Sequence, residues 1–142
     1  MFDAEFGIIH FQNHWQAVNQ IKLTLWNKEH YIYVCATAED EEDQISDLQR
    51  SSFLKFKNSI QSVEKSIEDV LRENFPDLTE LELSERFIPG RVIFSRDGNY
   101  GICIADNNDL DCAIQPDADI AIEFTPEIIF YDSQEEYLSF LY

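Results

Sequence analysis

Two histidines are the first residues whose type and spacing suggest chemistry. His10 and His14 lie four positions apart, which suits zinc when both side chains occupy one face of a helix. Here they straddle a predicted strand and turn, no glutamate follows in the H-E-x-x-H pattern, and no cysteine lies near them in sequence. The sequence therefore predicts no metal site at these histidines.

The segment Asp106–Asp111 invites comparison with a calcium-binding EF-hand loop. Its first and third positions carry side-chain oxygens, but Leu110 stands at the fifth and Asp111 replaces the glycine that the sharp turn needs. The twelfth position is Asp117 instead of the bidentate glutamate. An EF-hand is excluded, which leaves a weaker incidental cation site as the alternative to a solvated acidic turn.

The sequence also contains no motif for a catalytic nucleophile and no phosphate-binding loop. Cys35 and Cys103 lie within apolar strand patterns, which is typical of core residues. Gly98 and Gly101 belong to a predicted hairpin and are not followed by a helix, so they form no phosphate loop. With Cys112 the cysteines are odd in number and lack metal-ligand spacing, and we expect them to be reduced. No catalytic residue, metal or cofactor is predicted, and the chain is not expected to be an enzyme.

The net charge is −18, from 10 basic and 28 acidic residues. The segment 44–75 carries five residues of each sign, whereas residues 97–142 carry 11 acidic residues and no lysine or arginine. The excess negative charge therefore lies outside the central helical segment. A field of this sign repels nucleic acid and anionic membranes, and it speeds encounter with a basic protein.

Two acidic segments are the predicted docking residues for such a basic partner. An acidic run before a helix also complements the helix dipole, and a solvated loop remains the alternative reading. Trp26 is the candidate aromatic anchor, with a tryptophan packed at a sheet margin as the alternative. The predicted acidic docking residues are Glu39, Asp40, Glu41, Glu42 and Asp43 in the first segment and Asp106, Asp109, Asp111, Asp117 and Asp119 in the second.

The element that must organise these segments is a helix from Ser46 to Phe75. Ser46 and Gln49 fit a capping box at its start, and Pro76 ends it near Asn74. A break near Asn58-Ser59 is compatible with its length, so one helix is predicted, with two shorter helices as the alternative. Its apolar residues recur every three or four positions: Leu48, Phe53, Phe56, Ile60, Val63, Ile67, Val70, Leu71 and Phe75.

Period-two alternation and turn residues predict the strands. The first three are expected to form an antiparallel meander, and Asp97-Gly98 marks a tight hairpin between the fourth and fifth. Leu78, Leu81 and Leu83 suggest a short helical turn, and Ser133 with Glu136 starts a last helix over 134–141. The predicted strands are 6–11, 21–26, 31–36, 91–95, 100–104, 120–124 and 128–131.

These elements predict one α+β domain over residues 1–142, in which a mostly antiparallel sheet is covered on one face by the long helix. A basic leader segment is absent after Met1, and no apolar run approaches a membrane span. We therefore expect a cytoplasmic protein.

The assembled motifs resemble a family of small bacterial domains of unknown function. That family is frequent among the immunity proteins of polymorphic-toxin and contact-dependent growth inhibition systems. The segments that carry the resemblance are Phe6-Gly7, the Trp15 region, Leu25–Lys28, Asp43–Ser46 with Gln49, Arg96–Gly101, Pro126–Ile128 and Ser133–Leu138.

The resemblance implies an immunity protein, and the charge implies a basic partner. The expected function is therefore to bind a basic toxin domain, a nuclease being the expected type, and to block its active site. Direct binding of nucleic acid is not expected. The alternative is a non-catalytic regulatory or small-ligand-binding domain whose acidity serves solubility, with Tyr31, Tyr33 and Trp26 lining its pocket.

Overall fold

The computed structural model describes residues 1–107 and 119–141. This part of the chain forms nine strands and four helices, which confirms the predicted α+β class. The strands are β1 (Phe2–Asp3), β2 (Gly7–Phe11), β3 (Trp15–Ala17), β4 (Ile21–Leu25), β5 (Lys28–Ala36), β6 (Phe87–Phe94), β7 (Tyr100–Asp106), β8 (Ile120–Phe124) and β9 (Ile128–Tyr131). The helices are α1 (Asp47–Asn58), α2 (Ile60–Asn74), α3 (Glu80–Arg86) and α4 (Gln134–Ser139).

The strands lie in the order β1-β2-β3-β5-β6-β7-β8-β9, and β4 also pairs with β5. Each of these pairs is antiparallel except β5–β6, which is parallel because three helices connect the two strands. The predicted meander of the first three strands is wrong in its first pairing, since β2 pairs with β3 and not with β4, whereas the predicted antiparallel pairing of β4 with β5 is confirmed. The strand β3 went unpredicted because three residues are too few to show alternation.

The strands β3 and β4 run one after the other along the same edge of β5. Trp15 pairs with Ala36 and Ile21 with Ile32, which leaves a two-residue register shift around positions 18–20. A two-residue turn then joins β4 to β5. Both of its residues have positive φ, 50° at Trp26 and 62° at Asn27, which is the geometry of a type I′ turn.

The predicted central helix is divided into α1 and α2 at Ser59. The backbone of Ser59 leaves helical geometry at φ −118° and ψ 23°, at the position where asparagine and serine, both weak helix formers, adjoin. The predicted capping box is present, because Ser46 Oγ accepts from the Gln49 backbone and Gln49 Oε1 accepts from the Ser46 backbone. The second helix ends at Asn74, as predicted from Pro76.

The helices α1 and α2 pack their apolar stripe against one face of the sheet. The core contains Phe53, Phe56, Ile67 and Leu71 from these helices. On the other face, α4 covers a smaller buried cluster of Cys35, Ile93, Cys103, Ala121 and Tyr137. The two cysteines are therefore core residues, as predicted.

The hairpin between β6 and β7 forms as predicted, with the turn at residues 95–99. Gly98 has φ +89°, a conformation that favours glycine. The strand β6 begins at Phe87, four residues before the predicted start, and its register shifts between Pro89 and Arg91. Within the described residues, no helix has both the length and the apolar character to cross a membrane.

Candidate functional site

The strand register separates the two predicted acidic segments. Ala36, at the end of β5, is level with Phe94 on β6, and Phe94 is level with Tyr100 on β7. Asp106 lies six residues further along β7, level with Phe87. At about 3.3 Å per strand residue, the two segments are roughly 20 Å apart, at opposite ends of the sheet. The structure therefore does not bring the described members of the two segments into one surface.

The described carboxylates of the second segment are engaged within the fold. Asp106 forms a bidentate ion pair with Arg86, with Oδ1 2.8 Å from Nε and Oδ2 3.1 Å from Nη2. Asp119 Oδ1 accepts the backbone N–H of Asp106 at 3.1 Å. Both residues tie β7 to its neighbours. Three further predicted members lie outside the described residues: Asp109, Asp111 and Asp117.

Residues 39–43, here called the acidic loop, connect the carboxyl end of β5 to α1. The first four residues are exposed and Asp43 is half-buried. Asp40 Oδ1 accepts backbone N–H groups of Glu42 and Asp43 at 2.8 and 3.2 Å, so this carboxylate shapes its own turn. Among the described residues, the side chains of Glu39, Glu41 and Glu42 have no hydrogen bond or ion pair within the chain. These three carboxylates face solvent at one end of the sheet.

Two side chains, the buried Trp15 and the exposed Arg96, tether the backbone on the C-terminal side of the acidic loop. Trp15 Nε1 donates to the carbonyl oxygen of Asp43 at 2.7 Å, across 28 positions of sequence. Arg96, from the hairpin turn, donates through Nη1 to the carbonyl oxygen of Gln44 at 2.5 Å. The loop is thereby fixed to β3 and to the β6–β7 hairpin.

Gln49 joins this region to the sheet from within the core. Its side chain is fully buried, and Nε2 donates to the carbonyl oxygens of Thr37 at 3.0 Å and Phe94 at 2.9 Å. Its Oε1 accepts from Ser46 N at 2.9 Å and from Arg96 Nη1 at 3.2 Å. One amide therefore holds the start of α1 against the carboxyl ends of the two parallel strands.

The acidic loop borders a groove at this end of the sheet. Its larger part has a cavity volume of about 820 Å³ and shares Thr37, Arg96 and Leu141 with an adjoining cavity of about 340 Å³. The larger part is lined by Phe11, Asn13, Thr37, Ala38, Glu39, Asp40, Asp43, Arg96 and Leu141. The smaller part adds Ser95, Asp97, Glu123 and Phe140. Five carboxylates and one guanidinium thus line the groove together with apolar side chains.

The predicted anchor Trp26 lies elsewhere, at the turn between β4 and β5. Its ring packs against the core, and among the described residues its buried Nε1 has no acceptor. Its backbone N–H donates to Glu68 Oε2 at 2.6 Å, and that of Thr24 donates to Glu64 Oε2 at 2.5 Å. Two glutamates of α2 therefore cover the free edge of β4. This environment matches the packed-tryptophan alternative and does not place Trp26 at the groove.

The titratable groups of the other sheet face show the effect of burial. Burial raises the pKa of the Cys35 thiol to about 11, and it also raises the pKa of Cys103. Burial, together with the charge of Arg91, lowers the pKa of His14. Among the described residues, no three histidine, cysteine or acidic side chains group as metal ligands.

Sequence reasoning missed the residues that position the acidic loop. Gln49 was identified as a cap but not as a donor to two strands, and Arg96 and Trp15 contact the loop across long sequence separations. One signal was available, since a glutamine that stays buried in an amphipathic helix needs partners for both ends of its amide.

Comparison of this chain with protein-family models, with curated proteins and with solved structures gives no match.

Proposed function

We propose that this protein is a non-catalytic binding protein that docks a basic protein partner on the acidic loop and its groove. In the form that the family resemblance favours, it is a cytoplasmic bacterial immunity protein, and the partner is a basic toxin domain with a nuclease as the expected type. The second acidic segment is not part of the proposed surface.

The observation that carries the proposal is a set of unpaired carboxylates on an anchored backbone. The side chains of Glu39, Glu41 and Glu42 have no partner among the described residues. Trp15 and Arg96 hold the carbonyl groups of the two residues that follow them, Asp43 and Gln44. A loop that is already ordered loses little conformational entropy when a partner binds. Its charges can therefore contribute to recognition without first being organised.

In the proposed mechanism, the acidic loop attracts the partner and the apolar side chains of the groove hold it once bound. The field of the acidic loop, in a chain of net charge −18, attracts a cationic surface over a Debye length of about 8 Å at physiological salt. Apolar side chains of the groove, among them Phe11 and the exposed Phe140, then supply contact area for the bound state. In a nuclease, the carboxylates would occupy the cationic cleft that otherwise binds phosphates.

The test is titration of a basic toxin domain, which we expect to be encoded next to this gene, against two variants of equal net charge. The first, Glu39→Gln with Glu41→Gln and Glu42→Gln, removes three charges from the acidic loop. The matched control removes three exposed carboxylates near the opposite end of the sheet: Glu73→Gln, Asp77→Asn and Glu85→Gln.

We expect the association rate of the loop variant to fall about tenfold at low salt, because rim charges act mainly on encounter. The control variant should lose no more than about twofold, the effect of net charge alone. Equal losses in both variants, or an association rate that is independent of salt in the parent protein, would refute docking at this end.

A small-molecule site is the second candidate, and the groove itself is the observation that favours it. A volume of about 820 Å³ lies within the range of ligand pockets. The groove differs from the predicted pocket, because Tyr31 and Tyr33 are exposed on β5. Calorimetry with small cationic ligands, such as polyamines, would distinguish this function: saturable binding that is lost in the loop variant would favour it over protein docking.

A further inference from the structure

The sheet face that carries α4 is uncovered over β1 to β5, and this uncovered part, here called the open face, presents a row of exposed apolar side chains. Phe2 pairs with Ile8 across β1 and β2, and the Val18 backbone N–H donates to the Ile8 carbonyl oxygen at 2.9 Å. Gln16 of β3 is level with Cys35 of β5; Val18 lies two residues after Gln16, and Tyr33 lies two residues before Cys35 on the same face of β5. Tyr31 follows on the same face of β5, since strand residues two apart share a face. These five residues are the apolar patch.

Each residue of the apolar patch exposes about half or more of its surface. The exposed fractions are 74% for Phe2, 57% for Ile8, 55% for Val18, 61% for Tyr31 and 48% for Tyr33. A fully covered phenylalanine or tyrosine buries about 150–250 Å². At the exposed fractions of Phe2, Tyr31 and Tyr33, and with the smaller Ile8 and Val18 added, the patch offers roughly 500 Å² on each chain. A patch of roughly 500 Å² is within the size range of the largest apolar patch on a typical monomer, and such patches are often functional.

The charges around the apolar patch differ from those of the chain as a whole. Between β1 and β6, this face carries Lys22, Arg91 and one carboxylate among the described residues, Glu29. Glu29 Oε1 lies 3.7 Å from Lys22 Nζ, so this carboxylate is paired. The patch is therefore a place where two chains of charge −18 can meet without bringing unpaired carboxylates together.

We propose that the apolar patch is the interface of a homodimer, in which the open sheet faces of two copies pack against each other. Two fully covered patches of roughly 500 Å² bury about 1,000 Å² together, which reaches the minimum expected of a biological interface; polar neighbours add to this area. A two-fold contact places the same patch on both sides. The tyrosines of one copy can then cover the aliphatic side chains of the other, with Arg91 at the border.

Salt distinguishes this contact from the proposed partner docking. Docking of a basic partner on the acidic loop weakens as salt rises, because attraction is screened. Dimerisation through the apolar patch strengthens with salt, because the repulsion between two chains of charge −18 is screened while apolar contact is not. The failure of one proposal therefore leaves the other intact.

The experiment is sedimentation equilibrium of the full chain alone at low and high salt. We expect the parent protein to dimerise, with a dissociation constant that falls as salt rises. Ile8→Glu with Tyr33→Glu should raise that constant at least about 100-fold, and the milder Ile8→Thr with Tyr33→Thr, which keeps good strand formers, about tenfold. The matched control, Leu54→Gln with Leu81→Gln, removes two exposed leucines from the helices and should leave it unchanged.

A parent protein that stays monomeric up to about 200 µM in both salt conditions, a concentration that detects even weak dimers, would overturn the proposal. So would patch variants that dimerise as well as the parent, or a control that dissociates as they do. Circular dichroism of the threonine variant establishes that the loss of dimer is not a loss of folding.

Discussion

Replacing Gln49 by leucine tests the anchoring of the acidic loop. Leucine has a similar volume, so the substitution opens little cavity, but it cannot form the four hydrogen bonds of the amide. Phe94 keeps a donor, since its carbonyl oxygen also accepts from Thr37 N at 3.0 Å. The carbonyl oxygen of Thr37 loses the donor that the structure gives it.

The loss of unfolding free energy in Gln49→Leu can be worked out from these hydrogen-bond partners. A buried carbonyl without a donor costs about 1–3 kcal/mol, and each of the other lost hydrogen bonds costs about 0.5–1.5 kcal/mol. Burial of the leucine side chain in place of the amide offsets about 2 kcal/mol of the free energy lost with these hydrogen bonds. We expect the free energy of unfolding to fall by roughly 3 kcal/mol for Gln49→Leu.

Urea denaturation, followed by circular dichroism, measures this change. Gln61→Leu is the matched control, because Gln61 is exposed on α2, and its free energy of unfolding should change by less than about 0.5 kcal/mol. If Gln49→Leu lost less than about 1 kcal/mol, the bonds to Thr37 and Phe94 would not be a principal tether of this end of the sheet.

Three further predictions concern the sheet and its turns. Gly101→Ala should lower the free energy of unfolding by about 2 kcal/mol or more, because the added methyl group would overlap the buried Tyr137 ring. Gly90→Ala is the control and should change the free energy of unfolding little, because the nearest atom to its added methyl group is 3.9 Å away. Thermal denaturation of both variants measures the difference. The hydrogen bond from Ser95 Oγ, aided by the Asn99 backbone N–H, holds the pKa of Asp97 below its usual value. The ionised carboxylate therefore stabilises the fold at pH values above the unfolded pKa of about 3.8, and this contribution is lost as the pH falls through the lower pKa of the folded protein. The stability difference between the parent and Asp97→Asn should accordingly be larger at pH 6 than near pH 2–3, and equal differences would contradict this role. Iodoacetamide at pH 8 should leave Cys35 and Cys103 unmodified in the folded protein, because burial disfavours their thiolates, and peptide mass spectrometry would detect the modification that contradicts this.

Local patterns in the sequence were sufficient for much of the fold. The alternation in β4 and β8, the turn at Asp97-Gly98 and the capping box of Ser46 and Gln49 each depend on residues close in sequence. The break between α1 and α2 falls where Asn58 and Ser59 adjoin, as the alternative with two helices expected. These features follow from backbone geometry and helix propensity alone.

The pairing of distant strands could not be read in the same way. The parallel pair of β5 and β6 joins residues about 58 positions apart, and β3 is recognised only by its contact with β5. This pairing decides which loops share an end of the sheet. The sequence therefore identified two acidic segments correctly as acidic, but it could not reveal that Asp106 and the acidic loop lie at opposite ends, or that Arg86 neutralises Asp106.

Amide hydrogen exchange of this protein with and without the proposed basic toxin domain tests whether a basic partner docks at the groove end of the sheet. We expect slower exchange at the acidic loop and at the β2–β3 turn near Asn13, with no change near Asp106 and Arg86. Slower exchange confined to the Asp106 end, with the acidic loop unaffected, would contradict this expectation.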